Sequence, residues 1–237
     1  MKPRLRLTQV HSVQDLGPHM RRIVLEGDDL KDFPVGYESA HVKVIVPKPG
    51  ETKPKLKFNF GTKKWMRSYT VRAFDVEQHW LTIDFSVNNH SGIVADWALQ
   101  ASPGDYLGIG GPGSVKHTDF EADWHLIVGD FSALPALAAT VEKLPVSAEG
   151  YVLAQVPTVQ DQQHIDIPSN LHFQWIVNPD VSRNELLKQV QGLDWMDGQP
   201  AIFIAGEASQ TKAIHSYVKT QPGYQEAKTY ASGYWKA

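Results

Sequence analysis

The sequence Arg67-Ser68-Tyr69-Thr70-Val71-Arg72 holds two arginines, one aromatic residue and two hydroxyl residues in six positions. Its aromatic and β-branched residues predict a single β-strand. Side chains alternate across a strand, so the first, third and fifth residues share one face and the other three share the opposite face. The segment therefore predicts a phosphate-binding cation beside a flat aromatic surface, with a hydroxyl near the edge of the ring.

These groups match the parts of a flavin dinucleotide. Arg67 suits an anionic pyrophosphate, and Tyr69 and Thr70 suit a planar ring that accepts hydrogen bonds. The chain has no cysteine, which excludes disulfides, thiolate catalysis and cysteine-ligated metal sites. Electrons must then be carried by a bound cofactor, for which we predict FAD.

Composition is that of a globular protein. The 237 residues suffice for one large or two small domains, with 42% hydrophobic and 21% charged residues. A net charge of -3 argues against a nucleic-acid binder. The ten histidines show no metal-binding spacing. There is neither a signal peptide nor a membrane-length apolar run, so we expect a cytoplasmic monomer without a membrane or metal.

The two halves of the chain differ in pattern. Predicted strands at 5–13, 20–26, 40–46, 67–74 and 80–87 indicate an antiparallel β-barrel. The second half alternates strands with helices, which indicates a doubly wound parallel α/β sheet. We predict a FAD-binding barrel domain at 1–118 and a nucleotide-binding α/β domain at 119–237.

Residues 40–72 contain nine lysines or arginines and one acid, Glu51. Each lysine alone is typical of a solvated loop, but the cluster predicts a positive field that attracts an anionic ligand. The candidate substrate contacts are Lys43, Lys55, Lys57, Lys63, Lys64 and the distant Lys236.

A helix is predicted at 93–100, with Ser91 as its N-cap. Gly92 lets a ligand approach the backbone, and the free N–H groups of the first turn suit an anion. The alternative is an ordinary helix that packs on the core. The candidate cofactor contacts here are His90, Gly92, Ile93, Val94 and Ala95.

Two strand ends in the second half are candidate nucleotide sites, because ligands of open α/β sheets bind at carboxyl strand ends. Gly129-Asp130 precedes a helix for which Ser132 is a candidate cap and Pro135 a first-turn residue. Gly206-Glu207 follows a later strand. Neither has a G-x-G-x-x-G motif, so both also fit ordinary turns. The terminal Tyr234-Trp235 either packs on an apolar edge or covers the flavin.

In their order and spacing, these motifs resemble the siderophore-interacting protein family, flavin-dependent ferric-siderophore reductases of the ferredoxin-reductase-like superfamily. The resemblance covers nearly the whole chain. Its markers are Arg67 to Arg72, Asp84-Phe85, Gly92 to Ala98, Pro103-Gly104-Asp105, Gly111-Pro112, Gly129-Asp130, Ala133-Leu134-Pro135-Ala136, Ala205-Gly206-Glu207-Ala208 and Ser232-Gly233-Tyr234-Trp235.

The resemblance implies a FAD-binding barrel followed by an NAD(P)H domain. It implies that Arg67 contacts the pyrophosphate, that Tyr69 lies along the flavin and that Thr70 approaches its redox nitrogen. The substrate would be an anionic ferric siderophore, a catecholate or a hydroxamate, reduced to release Fe(II). The alternatives are a general flavin or ferredoxin-type reductase and a non-catalytic siderophore-binding protein.

The donor is NADH or NADPH, with a ferredoxin as the alternative. Residues 157–163, which follow a predicted strand, contain no Lys or Arg to bind a 2′-phosphate. This favours NADH, although Arg183 after the next strand could reverse the preference.

Overall fold

The structure is a computed structural model that describes residues 4–57, 60–88, 91–115, 119–180 and 184–237. The chain forms two compact units, of which the first ends at Val115 and the second at Ala237. The first contains an antiparallel seven-stranded sheet and the second a parallel five-stranded sheet. The predicted fold class is confirmed. The predicted boundary at residue 118 stays a prediction, because residues 116–118 lie outside the described ranges.

The sheet of the first unit has the strand order β4-β3-β7-β1-β2-β6-β5. Alternate apolar residues of its strands form one buried core, against which helix α2 packs. The elements are β1 (Arg4–Gly17), β2 (Met20–Glu26), β3 (His41–Ile45), α1 (Phe60–Lys63), β4 (Met66–Thr70), β5 (Ala73–Asp75), β6 (Trp80–Ser86), α2 (Ile93–Gln100) and β7 (Tyr106–Gly111).

The prediction of one continuous strand at 67–74 is wrong. The Val71 N–H donates to the Ala40 carbonyl at 2.8 Å, beside β3, whereas the Arg72 N–H donates to the Thr82 carbonyl of β6 at 2.9 Å. Strands β4 and β5 lie at opposite ends of the strand order, so the chain changes edges between these two residues and brings β4 close to β6, where the ring centroids of Tyr69 and Phe85 lie 4.5 Å apart. The strand-like residue pattern continues through positions 67–74. Strand β4 ends because the backbone changes its hydrogen-bonding partner, and residue pattern alone does not reveal that change.

The sheet of the second unit has the order β10-β9-β8-β11-β12. Every residue of β8 and β11 is buried, as expected for central strands of a parallel sheet covered on both faces. The elements are β8 (Trp124–Gly129), α3 (Leu134–Val141), β9 (Glu149–Val156), β10 (Asn170–Val177), α4 (Glu185–Gln191), β11 (Pro200–Glu207), α5 (Ala208–Val218) and β12 (Thr229–Trp235).

Strand β12 was not predicted, since its small and polar residues and Gly233 weaken the strand pattern. It pairs in parallel with β11, from Ile202 opposite Thr229 to Glu207 opposite Trp235. From β8 the chain builds outwards through β9 and β10, and then returns to add β11 and β12 on the other side. The order therefore reverses between β8 and β11, which defines the switch point of this sheet.

No helix within the described residues is long and apolar enough to cross a membrane.

Candidate functional site

Tyr69 joins strand β4 to helix α2 through a series of aromatic rings. Its ring centroid lies 4.5 Å from that of Phe85, which in turn lies 6.3 Å from that of Trp97 in α2. Burial raises the pKa of Tyr69 to about 12, although the positive charge of Arg67 opposes the shift. The Tyr69 phenol therefore keeps its proton at neutral pH and can donate a hydrogen bond.

Arg67 is exposed on the same face of β4 as Tyr69, since these residues lie opposite Val44 and Val42 of β3. Its Nη1 donates to the carbonyls of Met66 at 2.8 Å and Lys64 at 3.2 Å. No carboxylate within the described ranges pairs with Arg67. Its charge is therefore uncompensated and available to an anion.

Ser68 and Thr70 belong to the opposite face of β4. Ser68 lies opposite Lys43 of β3, whose Nζ donates to Ser68 Oγ at 2.6 Å, and Thr70 is buried. The four predicted contacts from Arg67 to Thr70 therefore do not share one face of β4. Arg67 and Tyr69 lie on one face, and Ser68 and Thr70 lie on the other. Strand β4 ends the strand order and pairs with β3 alone, so alternate backbone groups face away from the sheet.

Asp84 and Phe85 are enclosed by protein. The Asp84 carboxylate accepts hydrogen bonds from Arg22 Nε at 2.7 Å and Nη2 at 2.8 Å, and Arg72 Nε lies 3.8 Å from it. Arg22 and Asp84 are direct partners across β2 and β6. Arg22 was not singled out from the sequence, because its partner lies 62 residues away. The cofactor contacts of Asp84 and Phe85 stay predictions.

Helix α2 spans Ile93–Gln100, as predicted, but its N-cap is not the predicted residue. Gly92 is its N-cap, so the prediction of Ser91 is wrong; the Gly92 N–H lies 3.4 Å from Asp96 Oδ1. Gly92 has an extended backbone, with φ at -176°. The side chains of Val94 and Ala95 are buried and that of Ile93 is half-buried, so these side chains are not the polar groups of the site. The groups that the first turn can give to a ligand are its backbone N–H groups. His90 lies outside the described residues.

The lysines of residues 40–72, here called the basic segment, differ in their partners. Lys55 Nζ lies 2.6 Å from Glu51 Oε1, and Lys64 Nζ lies 5.1 Å from the centre of the Trp65 ring. Lys57 and Lys63 are exposed, and neither has an acidic partner in the part of the chain that the structure describes. Lys236 is exposed near the end of the second unit. Lys57 and Lys63 are therefore among the charges of residues 40–72 that no acidic side chain within the described ranges balances.

Asp130 follows β8 and is only 3% exposed. Its Oδ1 accepts hydrogen bonds from Ser132 N at 2.8 Å, Ser132 Oγ at 2.6 Å and Ala133 N at 3.3 Å. Its Oδ2 accepts from Glu207 N at 2.6 Å and Trp235 Nε1 at 2.9 Å. The carboxylate thus ties the turn after β8 to the ends of β11 and β12.

This arrangement corrects the predicted cap of α3. The N-cap residue is Ala133, not Ser132, and the turn is stabilised by the Asp130 carboxylate. Pro135 lies in the first turn of α3, as predicted. Ser132 was favoured because serine is a common cap, but its hydroxyl donates to Asp130 instead.

Gly206 and Gly129 are needed for close packing. Gly206 has a φ of +147°, and a Cβ there would lie 2.5 Å from Asp130 Cγ. A Cβ on Gly129 would lie 3.2 Å from Ala133 Cβ. Gly206 therefore admits the Asp130 carboxylate to the edge of β11. A ligand contact at either glycine stays a prediction.

Glu207 is buried and is the N-cap of α5. Its carboxylate accepts hydrogen bonds from Gln210 N at 2.9 Å, Ser209 Oγ at 2.5 Å and Ala237 N at 3.4 Å. Burial alone would raise the pKa of Glu207, but these hydrogen bonds outweigh it and hold the pKa below its usual value. Glu207 is therefore ionised at neutral pH.

Two features near Glu207 could not be predicted from neighbouring residues in the sequence. The carboxamide of Gln210 is 2% exposed, and neither its nitrogen nor its oxygen has a partner within the described ranges. Trp235 bonds to Asp130 across 105 residues of chain. Its neighbour Tyr234 has a pKa raised by burial, with a further contribution from Tyr230. The flavin contacts of Tyr234 and Trp235 stay predictions.

Two family models match the chain in succession. The model of the siderophore-interacting FAD-binding domain matches residues 9–116, and the siderophore-interacting protein model matches residues 122–237. Ferric vibriobactin reductase ViuB of Vibrio cholerae is 32% identical over 228 residues, which cover 92% of this chain and 84% of that protein.

Two further proteins are similar over almost the full length. The NADPH-dependent ferric-chelate reductase of Escherichia coli is 27% identical over 246 residues, which cover 99% of this chain and 94% of that protein. The crystal structure of the siderophore-interacting protein SipS from Aeromonas hydrophila has a TM-score of 0.87 and 31% identity, covering 98% and 92% of the two chains.

The first unit also offers the groups that FAD requires. Arg67 is a cation that pairs with no carboxylate of the described residues, Tyr69 is a protonated phenol, and the first turn of α2 presents backbone amides. These groups suit a pyrophosphate and a flavin ring. The chain belongs to the siderophore-interacting protein family and is an FAD-dependent oxidoreductase.

Proposed function

We propose that the protein reduces Fe(III) held in an anionic siderophore, with FAD as cofactor and NAD(P)H as electron donor. The observation that carries this proposal is the position of Arg67, which has no carboxylate partner within the described residues, on the same face of β4 as a protonated Tyr69 and close to the lysines that precede β4. The names of the Vibrio cholerae and Escherichia coli relatives support it, since both are ferric reductases.

Strand β4 and helix α2 provide the proposed contacts to FAD. Arg67 and the first-turn amides of α2 bind the pyrophosphate, and Tyr69 orients the ring through stacking and a hydrogen bond. The Tyr69 proton stays on Oη, because burial holds the pKa at about 12. When held by these residues, FAD would supply the conversion of a two-electron hydride donor into single electrons for Fe(III).

Lys57 and Lys63 attract the ferric siderophore. Neither has an acidic partner in the described part of the chain, whereas the charge of Lys55 is balanced by Glu51. The iron keeps its siderophore ligands and needs none from the protein; Fe(II) is softer than Fe(III) and binds oxygen ligands less tightly, so reduction releases it. Catecholate complexes carry more negative charge than hydroxamates, so the basic segment favours a catecholate.

The donor that we propose is NADH. The chain from 157 to 163 follows β9 and has no Lys or Arg for a 2′-phosphate. Its acid, Asp161, is buried and accepts a hydrogen bond from Thr158 Oγ1 at 2.7 Å. The Escherichia coli relative is named as NADPH-dependent, and Arg183 lies outside the described residues. A comparison of the two donors is therefore essential.

An anaerobic stopped-flow experiment tests the proposal. FAD-loaded protein is mixed with NADH or NADPH, and flavin absorbance is followed before a panel of ferric siderophores is added with ferrozine. We expect faster bleaching by NADH and about two Fe(II) per nicotinamide, because a hydride carries two electrons.

The other outcomes separate the alternatives. Protein that takes up no FAD contradicts the proposal at its first step. Bleaching without Fe(II) indicates a general flavin reductase, and no bleaching by either nucleotide indicates a ferredoxin donor. Binding of the ferric siderophore without Fe(II) under any reductant indicates a non-catalytic binding protein.

A further inference from the structure

The His41 imidazole is held against the backbone of the turn that follows β7. A Cβ on Gly113 would lie 2.3 Å from His41 Cε1, 2.6 Å from Nε2 and 2.8 Å from Nδ1, so the ring occupies the space that a side chain at 113 would need. The Gly113 N–H donates to the His41 carbonyl at 2.8 Å. The ring and the backbone of His41 therefore both contact Gly113, which fixes the orientation of the imidazole.

The turn at 111–113 is in turn held by a buried cation. Arg6 is 2% exposed, and its Nη1 donates to the Gly111 carbonyl at 2.6 Å. Its Nε donates to Asp32 Oδ1 at 3.2 Å, which fixes the guanidinium. The turn is thus a rigid support, and a side chain packed against such a support keeps one orientation without reorganising.

His41 lies beside two residues that have predicted roles in the reaction. It is the direct partner of Thr70 across β3 and β4, so the two side chains share one face. Lys43 lies on the same face, two residues along β3, and its Nζ donates to Ser68 Oγ at 2.6 Å. Thr70 is predicted to approach the redox nitrogen of the flavin, and Lys43 is a predicted siderophore contact. A siderophore that reached both the flavin and Lys43 would lie against His41.

The charges on this face suit an anionic ligand. Strand β3 lies between β4 and β7. On the face of His41, β4 presents two neutral hydroxyl residues and β7 presents glycines. The charged residue of β3 on this face is Lys43, the turn at 111–115 has no ionisable side chain, and Glu38 is the nearest acid along the chain. An imidazole here would meet the ligand as the one kind of side chain that gains and loses protons near neutral pH.

We propose that His41 is the proton donor for iron release: as an imidazolium, it gives its proton to a siderophore oxygen when the bound Fe(III) is reduced. The inference rests on the proposed function, in which NAD(P)H supplies the electrons through FAD. One electron converts Fe(III) to Fe(II), the Fe–O bond breaks, and the imidazolium proton passes to the freed oxygen. His41 then takes a proton from water. Catecholate and hydroxamate oxygens bind iron as anions, so a protonated oxygen does not recapture Fe(II).

A single-turnover experiment tests the inference. FAD-loaded protein is reduced with one equivalent of dithionite and mixed anaerobically with Fe(III) held by a hexadentate tris-catecholate, with ferrozine present. At saturating chelate and about pH 6, we expect His41→Gln to slow the appearance of Fe(II) by about 100-fold, the lower end of the contribution of general acid catalysis. The difference from wild type should shrink as the pH rises to about 8, where an imidazole has lost its proton. His164→Gln removes a histidine whose side chain is 91% exposed and should match wild type at each pH.

A redox-inert complex separates proton transfer from simple attraction. Ga(III) forms the same tris-catecholate with the same charge but is not reduced, so its Kd reports binding alone. We expect His41→Gln to raise this Kd far less than it lowers the rate of Fe(II) release, and to leave the Kd of FAD unchanged. A raised Kd for the Ga(III) complex with an unchanged rate at saturation would overturn the inference and leave His41 as an anion contact. Weaker FAD binding as the sole effect would overturn it in favour of a cofactor contact.

A second variant tests the inference where His41→Gln does not fold. Gly113→Ala keeps the histidine but displaces its ring, because the new Cβ would overlap the imidazole. It should slow Fe(II) release at about pH 6, whereas Ser114→Ala at the next, exposed position should not. Equal rates in wild type and both the His41 and Gly113 variants overturn the inference while the proposed function stands. Wild-type protein that releases no Fe(II) after its FAD has been reduced removes both.

Discussion

The edge of the barrel and the carboxyl edge of the parallel sheet use charge in opposite ways. Arg67 is exposed, and among the described residues it donates to the backbone carbonyls of Met66 and Lys64. Asp130 is buried and accepts five hydrogen bonds, which come from residues as far away as Trp235. A buried charge must be fully partnered, whereas an exposed one need not be. The barrel edge thus keeps charge for a ligand, and the sheet edge uses charge to build a rigid surface.

Removal of the Asp130 carboxylate is expected to have the largest effect. Asp130→Ala leaves several buried donors without an acceptor, so we expect the free energy of unfolding to fall by about 3 kcal/mol or more. Denaturant unfolding measures it. Asp123→Ala, which removes a more exposed acceptor for Gln199 N, should cost about 1 kcal/mol. Equal losses would show that the Asp130 network adds no stability.

Arg67→Gln should affect ligand binding without affecting stability. Loss of a charge-assisted contact with the pyrophosphate should weaken FAD binding by about 10- to 100-fold. The free energy of unfolding of the apoprotein should change by less than about 0.5 kcal/mol. Quenching of FAD fluorescence gives the Kd, and Lys212→Gln provides the same charge change on α5. A Kd that does not change would leave Arg67 as a surface residue.

The third prediction concerns Lys55, Lys57 and Lys63, which precede β4 at the barrel edge. Lys57→Glu and Lys63→Glu should each raise the KM for an anionic ferric siderophore by about 2- to 5-fold at low salt, and the effect should shrink as salt is added. Lys55→Glu should have a smaller effect, because Lys55 Nζ is already bound to Glu51 and is less available for a direct contact with the siderophore. Ferrozine-coupled rates measure KM. Unchanged rates in all three variants would favour a general flavin reductase.

Gln210→Met tests whether the sheet edge is fully satisfied. The substitution removes two buried polar atoms that have no partner within the described residues, so it should raise the free energy of unfolding by about 1 kcal/mol. Gln191→Met makes the same change at an exposed position of α4 and should be nearly neutral. A loss of stability in Gln210→Met would indicate that the carboxamide binds an ordered water.

The failures of sequence-based prediction share one cause. Residues 67–74 have a continuous strand pattern, yet Val71 bonds to Ala40 beside β3 and Arg72 bonds to Thr82 of β6, near opposite ends of the strand order. Strand β12 has a weak pattern, yet its pairing with β11 makes it a strand. Ser91 and Ser132 are good caps by residue type, but neither caps its helix. In each case a partner distant in sequence, or the exact turn of the backbone, overrides a local preference.

The sequence by itself determined the two-part fold, the need for a bound electron carrier and the location of the basic segment. Strand and helix periodicity, the absence of cysteine and clustered lysines are properties of neighbouring residues or of composition. Only the tertiary structure decided which lysines are paired, since Lys55 binds Glu51 and Lys57 binds no acid of the residues that the structure describes. It alone brought Asp130, Glu207 and Trp235 to one edge, because parallel strands bring together segments that are up to 105 residues apart.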